Sequence, residues 1–168
     1  MELPEKVEES FCKYLRAFVT DDNPAATWPP TMLAGDKIRI FPGENDFDKD
    51  GQLVVVIAGD GTEYPLFSGN YYVPVEMCVR TPTKQLTPDE IKNNVPAPKS
   101  AHSLASSVLE QAIGGDPFAL AAAVTALADD FTIMGGILER QMTREQTDAF
   151  WSSGFSFKIL CAGKDLTA

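Results

Sequence analysis

The sequence predicts an α+β fold: a mixed, largely antiparallel sheet of about four to five strands, an N-terminal amphipathic helix and a central helical block packed on one face, and a closing C-terminal β-hairpin. Three observations carry that prediction. Apolar residues recur at helical spacing in the first twenty positions, two runs near the middle have strand character, and a second pair of strand-like runs closes the chain after a helical stretch. The 168 residues, 44% of them hydrophobic and 23% charged, suit a single domain spanning 1–168 with a substantial core.

From Glu2 to Asp21, Leu3, Val7, Phe11, Leu15 and Phe18 line one side, joined by Tyr14, with Glu and Lys opposite. The helix is expected to stop at Asp21–Pro24, where the DDNP run supplies turn formers and a proline. Residues 22–36 read as an irregular connector in which Trp28 packs. A short strand KIRIF at 37–41 and an acidic loop, PGENDFDKDG, follow.

LVVVIAG at 53–59 reads as a strand buried on both faces. Asn70 to Thr81 reads as a long strand, with Tyr71, Val73, Val75, Met77 and Val79 on one side and Tyr72, Pro74, Glu76, Cys78 and Arg80 on the other. Pro74 cannot donate to a ladder, which predicts an edge position or a bulge there. An exposed excursion at 82–99 contains one helix start, Thr87-Pro88-Asp89-Glu90.

Two longer helices are expected next. The first, Ser100 to Ile113, would bury Leu104, Val108 and Ala112 or Ile113. The second is capped by Asp116 with Pro117 in its first turn, and runs to Asp129 with Phe118, Ala121 and Thr125 along its body. FTIMGGIL at 131–138 and FSFKILCA at 155–162 would form the closing hairpin, joined by a long charged arm at 139–150. Gly135-Gly136, inside the first of these runs, suggests a bulge or a close backbone approach. The chain has no internal repeat.

The net charge of −10 excludes binding nucleic acid by phosphate neutralisation, which needs clustered Lys and Arg. Charges in the opening MELPEKVEESF and the lack of any apolar run of about 18 residues imply a protein made in the cytoplasm with no membrane partner. Cys12, Cys78 and Cys161 are widely spaced and odd in number, so buried free thiols are expected; Cys78 and Cys161 could be neighbours in one sheet.

No motif calls for a cofactor. Asp46, Asp48 and Asp50 before Gly51 imitate the start of a calcium loop, but the twelfth position is Ile57 instead of a bidentate Glu, so they are weak metal candidates and a solvated loop is the plainer reading. His102, the only histidine, sits among serines with nothing to orient it as a base. The carboxylate neighbours Glu8-Glu9 and Asp129-Asp130 diverge around a surface and make no acid-base dyad. The arm stands out, because a tight turn would suffice between two strands. Its Arg140, Arg144, Glu145 and Asp148, with Phe150 and Trp151, are candidate subunit-interface residues.

In order and length, the N-terminal helix, LVVVIAG, the strand ending YYVPVEMCVRTP, the HSLASSVLEQAI helix and the closing FSFKILCAG resemble the tail terminator, or tail completion, proteins of long-tailed bacteriophages. The excursion at 82–99 and the second helix depart from that family's compact pattern and leave a related neck, connector or minor tail protein open. The resemblance implies a non-enzymatic virion protein of the tail or neck. It implies a homo-oligomeric ring, typically of six copies in that family, with tail tube and head connector proteins as partners and DNA passing the lumen without specific binding. Two other classes compete: a small non-viral binding module acting as monomer or dimer, and a hydrolase using His102.

Overall fold

The computed structural model describes residues 2–19, 27–35, 37–43, 51–83, 87–95, 97–128, 130–147 and 149–163. Helix α1 spans Leu3–Ala17, with Glu2 and Glu5 forming a reciprocal capping box at its start. Val7, Phe11 and Leu15 are fully buried, as the helical period demands, and each contributes about 1.5–3 kcal/mol by leaving water. The helix ends earlier than the expected stop at Asp21–Pro24, which lies outside the described residues. Phe18 turns extended so that its ring meets Tyr14 at 6.3 Å. The Leu15 carbonyl accepts both the Phe18 N–H at 3.3 Å and the indole N–H of buried Trp28 at 2.9 Å.

A 3-10 turn at Pro30–Met32 leads into a two-residue ribbon of β1 (Leu33–Ala34) and β2 (Lys37–Ile38). The KIRIF strand is therefore split. Its second half joins β3 (Ile40–Pro42), which lies parallel to β4 (Leu53–Ala58) in the main sheet.

β4 is buried on both faces, as its unbroken apolar run requires. Val54, Val56 and Ala58 face the helices, while Leu53 and Val55 join Cys78 in a smaller cluster on the other side. β5 (Thr62–Glu63) and β6 (Asn70–Pro82) follow. The odd-numbered residues of β6 from Val73 to Val79 enter the main core, as the alternation predicts.

The sheet has seven strands in the order β3-β4-β6-β9-β7, with β5 also on β6 and β8 on β9; β7 spans Phe131–Ile133, β8 Leu138–Gln146 and β9 Phe150–Gly163. Every pairing in it except β3–β4 is antiparallel. The extra strands are pieces of two or three residues, too short to leave a period in the sequence. β6 is central, which corrects the expectation of an edge at Pro74. Its pairing with β4 ends at Val75 and its pairing with β5 begins at Tyr72, so Pro74 falls in the gap between them. The Pro74 carbonyl faces that gap and accepts from Gly59 N at 2.9 Å, which puts the missing N–H where no ladder bond is lost.

The excursion carries the expected short helix, α2 (Pro88–Lys92), with a Thr87–Glu90 capping box. Helix α3 runs over Pro98–Ile113 and α4 over Pro117–Leu127, the latter capped by Asp116 accepting from the N–H groups of Phe118 and Ala119. The buried face of α3 is Ala101, Ala105, Leu109, Ala112 and Ile113, with Val108 half-buried against the core; Ala112 and Ile113 are buried as expected, whereas Leu104 is 54% exposed. Alanines let the helix axis approach β6 closely, and a leucine on that line would hold it off. α1, α3 and α4 pack on the same face of the sheet.

The closing hairpin is β8–β9, so the arm at 139–150 is largely strand. FTIMGGIL is not one strand: β7 and β8 are two segments of one edge of β9, interrupted at Met134–Ile137. Gly135 takes φ +74°, and a Cβ on Gly136 would lie 3.3 Å from Pro117 Cβ, so the close approach is present, whereas the register shift of the strand falls between Leu138 and Gln141. Cys78 and Cys161 lie on adjacent strands without being neighbours. Cys161 pairs with Tyr71, seven residues from Cys78, and enters the main core while Cys78 faces the other side.

Candidate functional site

Two features can bear on function, the exposed edge strand of the hairpin and a polar chain beneath it. Except for half-buried Thr143, every residue of β8 is exposed. The register with β9 sorts the arm residues by face. Met142 opposite Phe155, and Arg144 opposite Ser153, share the helix side with Trp151, whereas Glu145 opposite Ser152 shares the bare side with Phe150. The expected interface residues therefore do not form one surface. Asp148 lies outside the described residues.

Arg140 folds back on its own chain. Its Nη1 donates to the Gly114 carbonyl at 2.6 Å and its guanidinium sits 5.7 Å from the Phe155 ring centre, stitching β8 to the end of α3. Phe150 lies under the Arg80 guanidinium at 5.5 Å. Arg144, Glu145 and the exposed Met142 are the arm side chains best placed to meet another chain. Between α3 and β8 runs a groove of about 660 Å³, lined by Ser107, Glu110, Gln111, Arg140, Met142 and Phe155 among others.

The polar chain links Thr31, Gln52, Thr81, His102 and Ser153. Thr31 Oγ1 donates to Gln52 Oε1 at 2.6 Å, and the Gln52 amide donates to Thr81 Oγ1 at 2.7 Å and to the Ala101 carbonyl at 3.0 Å. His102 bridges Thr81 Oγ1 at 2.7 Å through Nδ1 and Ser153 Oγ at 2.8 Å through Nε2. Thr81 accepts from Gln52 and keeps a second lone pair beside its own proton, so its contact with Nδ1 suits either tautomer of His102. In both tautomers the two ring nitrogens are engaged by hydroxyls, one as donor and one as acceptor. The chain fastens α3 across the β6–β9 ladder. Gln52, Thr81 and Ser153 carried no sequence signal, since nothing local distinguishes a bridging glutamine from a solvated one.

Burial, and secondarily the Arg144 charge, push His102 below its ordinary value of 6.5. Its folded value is the lower one, so the associated stability is complete above that ordinary value and is lost as pH falls toward the folded value. Urea unfolding at a series of pH values should show the midpoint falling on acidification through this window, and His102→Gln should flatten that slope. An equally steep slope in the variant would assign the titration to other groups.

The three thiols are buried and free. Burial pushes Cys12 and Cys161 up to about 12 and Cys78 up to about 11, so none is a poised nucleophile. Among the described residues no three His, Cys, Asp or Glu side chains gather as a metal site. Asp46, Asp48 and Asp50 lie outside the described residues. No described helix is long and apolar enough to cross a membrane.

These features define a class of protein by its architecture, a helix-backed, mostly antiparallel sheet with an exposed hairpin edge. No protein-family description and no curated protein matches the chain.

Proposed function

We propose that this chain is a non-enzymatic structural protein of a tailed-phage virion, a tail terminator or tail completion protein. In this reading it forms a homo-oligomeric ring, six copies in the arrangement the resemblance implies, at the head-proximal end of the tail tube, and joins the tube to the head. The observation that carries the reading is β8. It is an exposed nine-residue edge strand, more than the fold needs to close its hairpin, and edge strands are templates for contact with another chain. His102 is held between Thr81 and Ser153 as part of the packing of α3 on β6 and β9, which suits a structural role. A net charge of −10 suits a lumen through which DNA passes without adsorbing. A neck, connector or minor tail protein differs from this reading only in its neighbours along the particle.

The groove between α3 and β8 favours a second reading, a small-ligand binding module working as monomer or dimer. Mass photometry and negative-stain microscopy over a concentration series, with and without tail tubes, separate the two. Rings or decorated tube ends are expected, and Arg144→Glu combined with Met142→Lys should weaken them. A wild-type monomer that ignores tubes and melts higher with a small ligand would move the binding module to the front.

A further inference from the structure

The connection between β5 and β6 presents large apolar side chains to solvent: Tyr64 is 59%, Leu66 77% and Phe67 96% exposed. They are held outward by a braced turn. Tyr64 N donates to the Asn70 carbonyl at 2.9 Å, and Ser68 N to the Pro65 carbonyl at 3.1 Å. The Glu63 carboxylate accepts from Phe67 N, and the Tyr64 ring rests 5.5 Å from that of Tyr72. Phe67 itself sits at φ +62°, a left-handed conformation that bulky residues rarely take. A fully exposed phenylalanine fixed in such a conformation is organised for insertion into something.

At the opposite end of the sheet is a cleft of about 470 Å³ lined by Arg16, Ala34, Lys37, Ile38, Arg39 and Phe41. Its floor is apolar and, among the described residues, its charged lining is cationic, three of the fourteen Lys and Arg residues in a chain of net charge −10. Two of the three are fixed to the wall, Arg16 on the Ile40 carbonyl and Arg39 on the Gln52 carbonyl. The tip segment from Gly59 to Asn70 carries Asp60 and Glu63 and no base. An acidic collar around an apolar tip is thus the complement of a basic rim around an apolar floor.

Within one chain the two cannot meet. The tip is anchored where Glu63 pairs with Tyr71, and the cleft lies beside Val54, whose neighbour Leu53 pairs with Arg80. Nine residues of β6 separate those pairs, about 30 Å at the rise of a strand.

We infer that the Tyr64–Phe67 tip of one copy docks in the Arg16–Lys37–Arg39 cleft of a second copy. The contact is head-to-tail, so each copy offers both a tip and a cleft, and repetition yields a ring where the rotation closes and a filament where it does not. The inference rests on the ring reading for its biological setting, and it names a contact between copies beside that of β8.

Cysteine cross-linking of the full chain tests it. Phe67→Cys and Ala34→Cys change exposed residues, and the three native thiols are buried. Under mild oxidation, a mixture of the two single variants should give a cross-linked dimer that neither gives alone, and the double variant should give a ladder. In mass photometry, Leu66→Ser with Phe67→Ser should weaken self-association at least about thirty-fold, the loss expected of a hot spot. Lys37→Glu should weaken it too, and Asp60→Lys in the same chain should recover part of the loss. Cross-linking by Phe67→Cys alone would overturn the inference in favour of tip-to-tip pairing, and capture by anionic vesicles without self-association would overturn it in favour of a membrane. Wild-type-like rings from the serine variant would sink the tip contact and leave the ring reading standing. Cross-linked chains that ignore tail tubes would do the reverse.

Discussion

Replacing Gly154 with alanine is expected to cost the fold more than about 3 kcal/mol, because the new methyl has nowhere to go. A Cβ built there lies 1.7 Å from the Met77 carbonyl oxygen and 2.8 Å from Cys78 Cα. Both are backbone atoms of β6, so no side chain can rotate out of the way. The strand would have to separate from its neighbour at the middle of the longest ladder in the sheet. The bare position also lets Cys78 Sγ reach within 3.8 Å of Thr143 Oγ1 from the far side of β9. Urea unfolding of Gly154→Ala should show a large fall in midpoint or no cooperative transition. A change within about 0.5 kcal/mol would mean that β6 and β9 are further apart here than described.

Phe11→Ala is expected to cost about 3–5 kcal/mol. Phe11 is fully buried, with its ring 5.6 Å from Phe157, and it is the largest side chain joining α1 to the sheet. Its loss leaves a cavity between two secondary-structure layers that cannot both relax into it. Leu104→Ser is the instructive contrast: a leucine in the middle of a helix, yet 54% exposed, whose replacement should change stability by less than about 0.5 kcal/mol. Calorimetry of the two variants side by side tests the assignment of the buried faces.

That contrast marks where the sequence was legible. α1 and β6 could be read because each buries a face with large apolar residues at its own period, and β4 because its unbroken apolar run needs cover on both faces. On α3 the expectation fails at Leu104 alone, because alanine is as apolar as the packing needs while leucine looks more apolar on paper. β8 was read as an arm because solvent on both sides removes any reason for alternation, and LERQMTREQ shows none. The arm stands out in the sequence by its length, but the division of its residues between two faces depends on the register with β9, a long-range quantity. The polar chain was invisible for the same reason: Gln52 and Ser153 are about a hundred positions apart and are linked through Thr81 and His102. The apolar tip did leave a trace, since Tyr64, Leu66 and Phe67 stand together in a turn flanked by Gly61 and Gly69 with no helix or strand to bury them.

The pairing of β6 with β9 also decides how the molecule meets mechanical load. The tip hangs from the Asn70 end of β6 and the hairpin projects from the Phe150 end of β9, with thirteen residue pairs of continuous register between them. A pull between those two extremities runs along the strands, at right angles to their hydrogen bonds. The ladder is then loaded in shear, where all its bonds share the force and must fail together, and not as a zipper that opens one bond at a time.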